Sequence, residues 1–391
     1  MKRSALVAAV AFLAGALLVT FLTSWRCAGR RPEPPVGVTP SPDRRVAPAA
    51  LARLAKIPIY GSLLPATAIR SGHLDGDGVL HLEVDLRAVL RPRFAAMGLP
   101  GASELFPANA KGTIDPGGLR ESWSFDGPAA ALDLLDRSPG APVASHALKS
   151  IPGTPSSVVS VRLNPGRLGD PALGGAALAP WRDRADFAEK LLGRPLRAEI
   201  AEDVSGPAVF ALYEGSDDTQ AEAVLAVELR RSDRLVELVE MLFGLGALTE
   251  RAKVVRYRGV STGSFVPSTG GAGLALAVDG PILLVASSRS RLESAIDARR
   301  DDAHPRASLA GAEANGASWS AVSSSAFVRH GWARLARSTD ELGERPLAPT
   351  TASLHPEGVS GWRLDGNGPA PAITADPVVP FLRSVLGKRQ R

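Results

Sequence analysis

The chain has 391 residues, 45% hydrophobic and 22% charged, with a formal net charge of +5 and one cysteine. That length can bury a sizeable core, and one cysteine excludes a disulfide scaffold and any cysteine-rich zinc or iron–sulfur site. Residues 1–50 hold seven Lys/Arg against two acids, residues 381–391 four against none, and residues 51–380 hold 34 against 38; the body is therefore mildly acidic, and nucleic acid is not an expected partner.

The N-terminal segment comes first. Lys2 and Arg3 precede an uninterrupted apolar stretch, Ala5 to Leu22, closed by Thr23, Ser24 and Trp25. At 1.5 Å per residue it spans about 27–31 Å, the thickness of a bilayer core. Trp25 falls where an interfacial aromatic belongs, and Arg26, Arg30 and Arg31 follow. The stretch is longer than the apolar region of a cleaved signal peptide, and Trp25-Arg26-Cys27 offers no small-x-small cleavage site. Residues 1–27 are predicted to be an uncleaved membrane anchor, transmembrane over about 5–25. The expected location is a bacterial inner (cytoplasmic) membrane, single-pass, with the body outside the cytoplasm and the lipid bilayer as partner. Residues 28–50 are proline-rich, with five prolines between Pro32 and Pro42. They read as an extended stalk.

The body opens with Asp75-Gly76-Asp77-Gly78, a hairpin turn rather than the start of a calcium loop, because a strand follows directly. In that strand, Val79 to Leu86, the residues Leu80, Leu82, Val84 and Leu86 face one way, and His81, Glu83 and Asp85 the other. Strict alternation predicts one buried and one wet face, as in an antiparallel sheet. A second hairpin follows: Lys111 to Ile114, a turn at Asp115-Pro116-Gly117-Gly118, and Leu119 to Phe125. Pro128 opens a predicted helix that ends near Asp136. A Pro/Ser/Gly-rich stretch, Ser150 to Ser156, closes a first lobe over 51–150.

The second lobe, 151–376, continues with a strand at Ser157 to Leu163, a helix at Trp181 to Leu192, and strands at Ala208 to Tyr213 and Glu222 to Leu229. Ser232 caps a helix, Asp233 to Phe243, whose Leu235, Leu238, Val239, Leu242 and Phe243 form an apolar stripe. A strand at Val254 to Arg258 leads into Gly259-Val260-Ser261-Thr262-Gly263. This matches the nucleophile-elbow pattern and makes Ser261 the weak candidate for a catalytic serine. The pattern requires a helix directly after the serine, and the residues from Ser264 to Gly271 read as a loop instead. Gly271-x-Gly273 opens a strand and so lacks the helix N-terminus that a dinucleotide site needs. A hairpin, Leu274 to Val278 and Ile282 to Ala286, precedes a helix with Ser290 and Glu293 in capping-box spacing. Trp319 to Ser323 suggests another strand. The six histidines are scattered and define no zinc site. No cofactor or metal is implied.

Thr113-Ile114-Asp115-Pro116-Gly117-Gly118-Leu119, with Trp123 beyond it, is echoed by Ser353-Leu354-His355-Pro356-Glu357-Gly358-Val359 with Trp362. This weak repeat would relate the two lobes. The chain ends in a short amphipathic helix over 377–391 with a cationic tail, Lys388, Arg389 and Arg391. The fold expected is α+β: antiparallel sheets with short packing helices in two lobes, preceded by one transmembrane helix.

The unit from Ala223 to Ile296 runs strand, amphipathic helix, Val-Val-Arg-Tyr-Arg-Gly-Val, Leu-Ala-Leu-Ala-Val-Asp-Gly, Ile-Leu-Leu-Val-Ala-Ser-Ser and helix. Over roughly 155–366 it resembles an uncharacterised family of bacterial membrane-anchored extracytoplasmic proteins, a domain of unknown function. The resemblance implies an anchor and an extracytoplasmic body, and carries no catalytic residues. The expected function is a binding or interaction module, not an enzyme, engaging an envelope protein or an apolar ligand. The alternatives are an apolar-ligand carrier or sensor of the envelope, and a serine hydrolase using Ser261.

Overall fold

In a computed structural model of the chain, the described residues are 45–46, 49–50, 66–96, 100–115, 120–125, 132–138, 145–168, 170, 186, 189–190, 193–213, 222–248, 252–265, 274–301, 317–324, 350–358 and 360–367. Alternation builds the first strands. After β1 (Arg45–Val46) come β2 (Ile69–Leu74) and β3 (Leu80–Asp85), where Leu80, Leu82 and Val84 are buried and His81, Glu83 and Asp85 half-buried. Helix α1 (Leu86–Ala96) leads to β4 (Asn109–Ile114) and β5 (Arg120–Phe125). Both strands again bury every second residue. At Gly112 the missing side chain is a packing requirement: a Cβ there would lie 2.3 Å from the Trp123 ring.

The short helices α2 (Ser145–Leu148) and α3 (Pro165–Leu168) flank β6 (Ser157–Arg162). Helix α4 (Leu196–Asp203) runs into β7 (Val204–Tyr213), which hairpins to β8 (Glu222–Leu229). Helix α5 (Asp233–Leu248) precedes β9 (Ala252–Tyr257) and β10 (Val260–Phe265). Then follow β11 (Leu274–Asp279), β12 (Ile282–Ala286), α6 (Arg289–Arg300), β13 (Trp319–Ser323), β14 (Thr350–Glu357) and β15 (Gly361–Asn367).

The fifteen strands among the described residues join one sheet, ordered β1-β2-β3-β4-β5-β15-β14-β13-β6-β7-β8-β12-β11-β10-β9. Only the two-residue β1 pairs in parallel; every other pairing is antiparallel. This corrects the α+β expectation of two lobes. Among the described residues antiparallel strands dominate, helices are few, and the last hairpin, β14–β15, sits between β5 and β13. It joins what the sequence divides at residue 150. The physical reason is that β5 and β13 each expose a free edge with an apolar face, and a hairpin alternating in the same phase satisfies both at once.

The core follows the sheet. One face is apolar from β3 to β11, and one continuous cluster runs from Leu80 through Trp123, Leu364, Trp319 and Phe210 to Leu276. Leu86, Val89 and Leu90 of α1, with Leu235, Leu238, Val239 and Phe243 of α5, pack against it. A second cluster lies on the opposite face but only over the far half, where Ala147 and Leu148 of α2 and Leu292, Ala295 and Ile296 of α6 cover β7, β8, β11 and β12. Each fully buried Leu, Ile or Val contributes about 1.5–3 kcal/mol.

Smaller differences have local causes. Of the stretch expected as helix from Pro128 to near Asp136, the described part forms a 3₁₀ turn at Leu132–Leu134, and Leu135 then bridges to Leu163. The α6 N-cap is Ser288, whose Oγ accepts from the Arg291 amide at 3.2 Å, two residues before the expected box. Residues 45–46 and the buried Ala50 already belong to the fold, so the predicted stalk gives way before residue 50. The predicted anchor over 5–25, its flanks Lys2, Arg3, Trp25, Arg26, Arg30 and Arg31, and the predicted 377–391 helix lie outside the described residues. Among the described residues no helix is long and apolar enough to cross a membrane.

Candidate functional site

One row of side chains defines the site. Cross-strand registers place His73, His81, Thr113, Ser122, Asp365, Ser353, Ser320 and Ser160 opposite one another in turn, from β2 to β6. The same row then continues as Val209, Ala226, Leu284 and Ala277. It is polar over the near half of the sheet and apolar over the half that α2 and α6 cover. Ser320 and Ser160 are already fully buried, and the open part runs from His73 to Ser353.

Side chains in the open part bond to one another. The His73 and His81 rings stack at 4.8 Å between centroids. His81 Nε2 lies 3.2 Å from Asp75 Oδ2. Asp75 Oδ1 accepts from the amides of Asp77 and Val79 at 3.0 and 2.9 Å, which builds the turn read from Asp-Gly-Asp-Gly. The hydrogen bonds from His81 and from the Val79 amide hold the Asp75 carboxyl below its usual range. Further along, Ser122 Oγ donates to Asp365 Oδ1 at 2.7 Å, Arg363 Nε to Asp365 Oδ2 at 2.9 Å, and His355 Nε2 lies 2.9 Å from Ser353 Oγ. Glu83, Lys111 and Ser124 lie on the same face, one row away. The result is a broad, charge-mixed, half-exposed surface. Among the described residues no three His, Cys, Asp or Glu side chains converge as metal ligands.

Ser261 sits in β10, half-buried, opposite Arg256 of β9. The strand expected before it is present. Ser264 and Phe265, expected as loop, extend its own strand, so the glycine-flanked serine belongs to a hairpin arm and not to a strand-to-helix elbow. In the chain order Ser, acid, His, a triad with Ser261 would draw on Asp279 or Asp340 and on His330 or His355; Asp279 is held by Arg299 and Arg300 at 2.9 and 2.8 Å. His355 lies on the polar face beside Ser353. Asp340 and His330 lie outside the described residues.

The sequence reading passed over a buried acid. Glu121 is 6% exposed on the apolar face, in a row formed by Leu80, Ile114, Glu121, Gly366, Ala352 and Ala321. Its Oε2 accepts from Trp123 Nε1 at 2.8 Å. Burial pushes the carboxyl up to about 8, so it is protonated at neutral pH. The signal was present in the alternation Glu121, Trp123, Phe125, which puts the acid in phase with the aromatics. Asp203 is likewise fully buried, and burial raises its carboxyl.

No known protein family matches the chain. No curated protein matches it. Among solved structures it is similar to TP0453. Crystal form III of that protein is 9% identical at a TM-score of 0.34, covering 60% of this chain and 98% of that one. Crystal form IV is 10% identical at 0.33, covering 58% and 80%. A likeness that faint carries no argument about this chain, and the resemblance over roughly 155–366 rests on its residue pattern alone.

Proposed function

We propose that the chain is a binding module of a bacterial envelope, held at the membrane by its N-terminal apolar segment, with the polar face of β2–β5, β14 and β15 as its binding surface. The observation that carries this reading is the row from His73 to Ala277. Over one half the sheet buries this face beneath α2 and α6. Over the other half it keeps a hydrogen-bonded polar strip half-exposed. A sheet face of that breadth and polarity suits a polar macromolecular partner better than a small lipid, which is bound mostly by apolar side chains.

Photo-crosslinking in cells that make the full chain tests the surface. A crosslinking residue at Thr113, Ser122 or Ser353 should capture one discrete adduct, absent when the same residue replaces Ser290 on α6. No adduct from the three positions, or the same adduct from Ser290, overturns the proposal. Protease added to intact spheroplasts should digest the body; protection until lysis overturns the envelope placement. The hydrolase reading predicts fluorophosphonate labelling that disappears in Ser261→Ala.

A further inference from the structure

The sheet ends at β9, which among the described residues has a neighbour on one side only. Its hairpin to β10 turns through Arg258 and Gly259, both at positive φ (46° and 82°), the signature of a two-residue type I′ turn. The residues flanking such a turn, Tyr257 and Val260, exchange both backbone hydrogen bonds, and so do the alternate pairs Val255–Thr262 and Lys253–Ser264. The amides and carbonyls of Ala252, Val254 and Arg256 therefore aim out of the sheet edge. Val254 is 44% exposed, the one exposed large hydrophobic side chain among the described residues. Lys253 and Arg256 are exposed, on opposite faces of the strand. Neither has an acidic partner within ion-pair distance among the described residues. The next cation, Arg258, by contrast, is engaged by Asp297 at 3.0 Å and Asp301 at 2.7 Å.

We propose that β9 is a docking edge for an extended acidic segment of a partner protein, added antiparallel to the sheet. The outward backbone groups supply the pairing, Val254 an apolar contact, and the two cations the selectivity. Opposite β9, acids three residues apart would meet Arg256 on one face and Lys253 on the other, with a small apolar residue against Val254. A second copy of this chain fits poorly, because pairing β9 with β9 gathers Lys253 and Arg256 of both chains along one seam. This edge is separate from the polar face above, and each survives failure of the other.

The probe is an end-blocked peptide, Thr-Glu-Thr-Val-Glu-Thr, titrated into the full chain at low salt, with a Lys-for-Glu version as control. The acidic peptide should bind at least about tenfold more tightly than the control, weaken as salt rises, and slow hydrogen exchange at the amides of Ala252, Val254 and Arg256. Val254→Pro removes an outward amide and no ladder bond, so its circular dichroism should match the parent while binding is lost. The double variant Lys253→Glu, Arg256→Glu should reverse the preference. Equal binding of the two peptides, unchanged binding in a folded Val254→Pro chain, or protection of the same amides by self-association overturns the proposal.

Discussion

At the scale of single residues, Glu121 is the conflict in the sequence that the fold accepts. Its neighbours in the row are apolar or small, and its hydrogen bond comes from the Trp123 indole. A neutral carboxylic acid tolerates this; a carboxylate does not. Its ordinary value of 4.5 is raised to about 8 in the folded chain. The folded state thus holds a proton that the unfolded state releases. Stability is full below pH 4.5 and falls as pH rises, by up to roughly 1.4 kcal/mol per unit, until it levels off above pH 8. Glu121→Gln keeps an acceptor for the indole and cannot ionise. Denaturant titrations at pH 5, 7 and 9 should show the parent losing stability across the series from this group and the variant losing less. Parallel pH profiles for the two chains would show that Glu121 is not buried as described.

At the scale of elements, α6 is held by charge as well as by packing. Asp279, 7% exposed at its side chain, ends β11 and takes Arg299 at 2.9 Å and Arg300 at 2.8 Å. Arg258 reaches Asp297 and Asp301 from the next hairpin, and the Tyr257 hydroxyl donates to Asp297 at 2.8 Å. Asp279→Ala removes the carboxylate shared by two partly exposed guanidiniums, which keep the Asp279 and Arg258 backbone carbonyls, and is expected to cost about 1–2 kcal/mol. It should also speed exchange of the α6 amides before those of β12, which native-state hydrogen exchange reads directly. Equal acceleration in the two elements would mean that the clamp holds the sheet and not the helix.

The same scale shows what the sequence revealed. The strands at Leu80, Ser157, Glu222, Leu274 and Ile282 follow from period-two alternation or short apolar runs, and α5 and α6 from a 3.6-residue stripe; all of them form. The polar face of β3 was legible because His81, Glu83 and Asp85 alternate with three buried aliphatics. The strip that extends it was not legible. Asp365 lies 243 positions from Ser122, and no local signal tells a chain that its last hairpin pairs with its fifth strand. One hint existed in the repeat, which gives Thr113 and Ser353 the same outward phase and Ile114 and Leu354 the same buried one. Ser261 was misleading for the opposite reason. Its glycines read as a motif, while Gly259 is spent on the type I′ turn.

At the scale of the whole molecule, the β14–β15 hairpin decides how the protein unfolds. It pairs with β5 through Trp123–Leu364 and Phe125–Trp362, and with β13 through Trp319–Leu354. Arg137 stacks 4.5 Å from the Trp362 ring centroid and donates to the Gly361 carbonyl at 2.8 Å, fastening the hairpin from outside the sheet. If the near strands and the far strands were independent lobes, damage to this hairpin would be felt on one side. A continuous apolar face from β3 to β11 predicts otherwise, because neither half has a closed core without the hairpin. Leu364→Ala deletes a buried side chain, 4% exposed, and should cost about 2–4 kcal/mol. In hydrogen exchange under native conditions, the slowest amides of β4 and of β7 should lose protection by the same amount, since both report one global opening. Loss confined to β4 and β5, with β7 unchanged, would restore the two-lobe description and leave the far strands as a unit that folds without its neighbour.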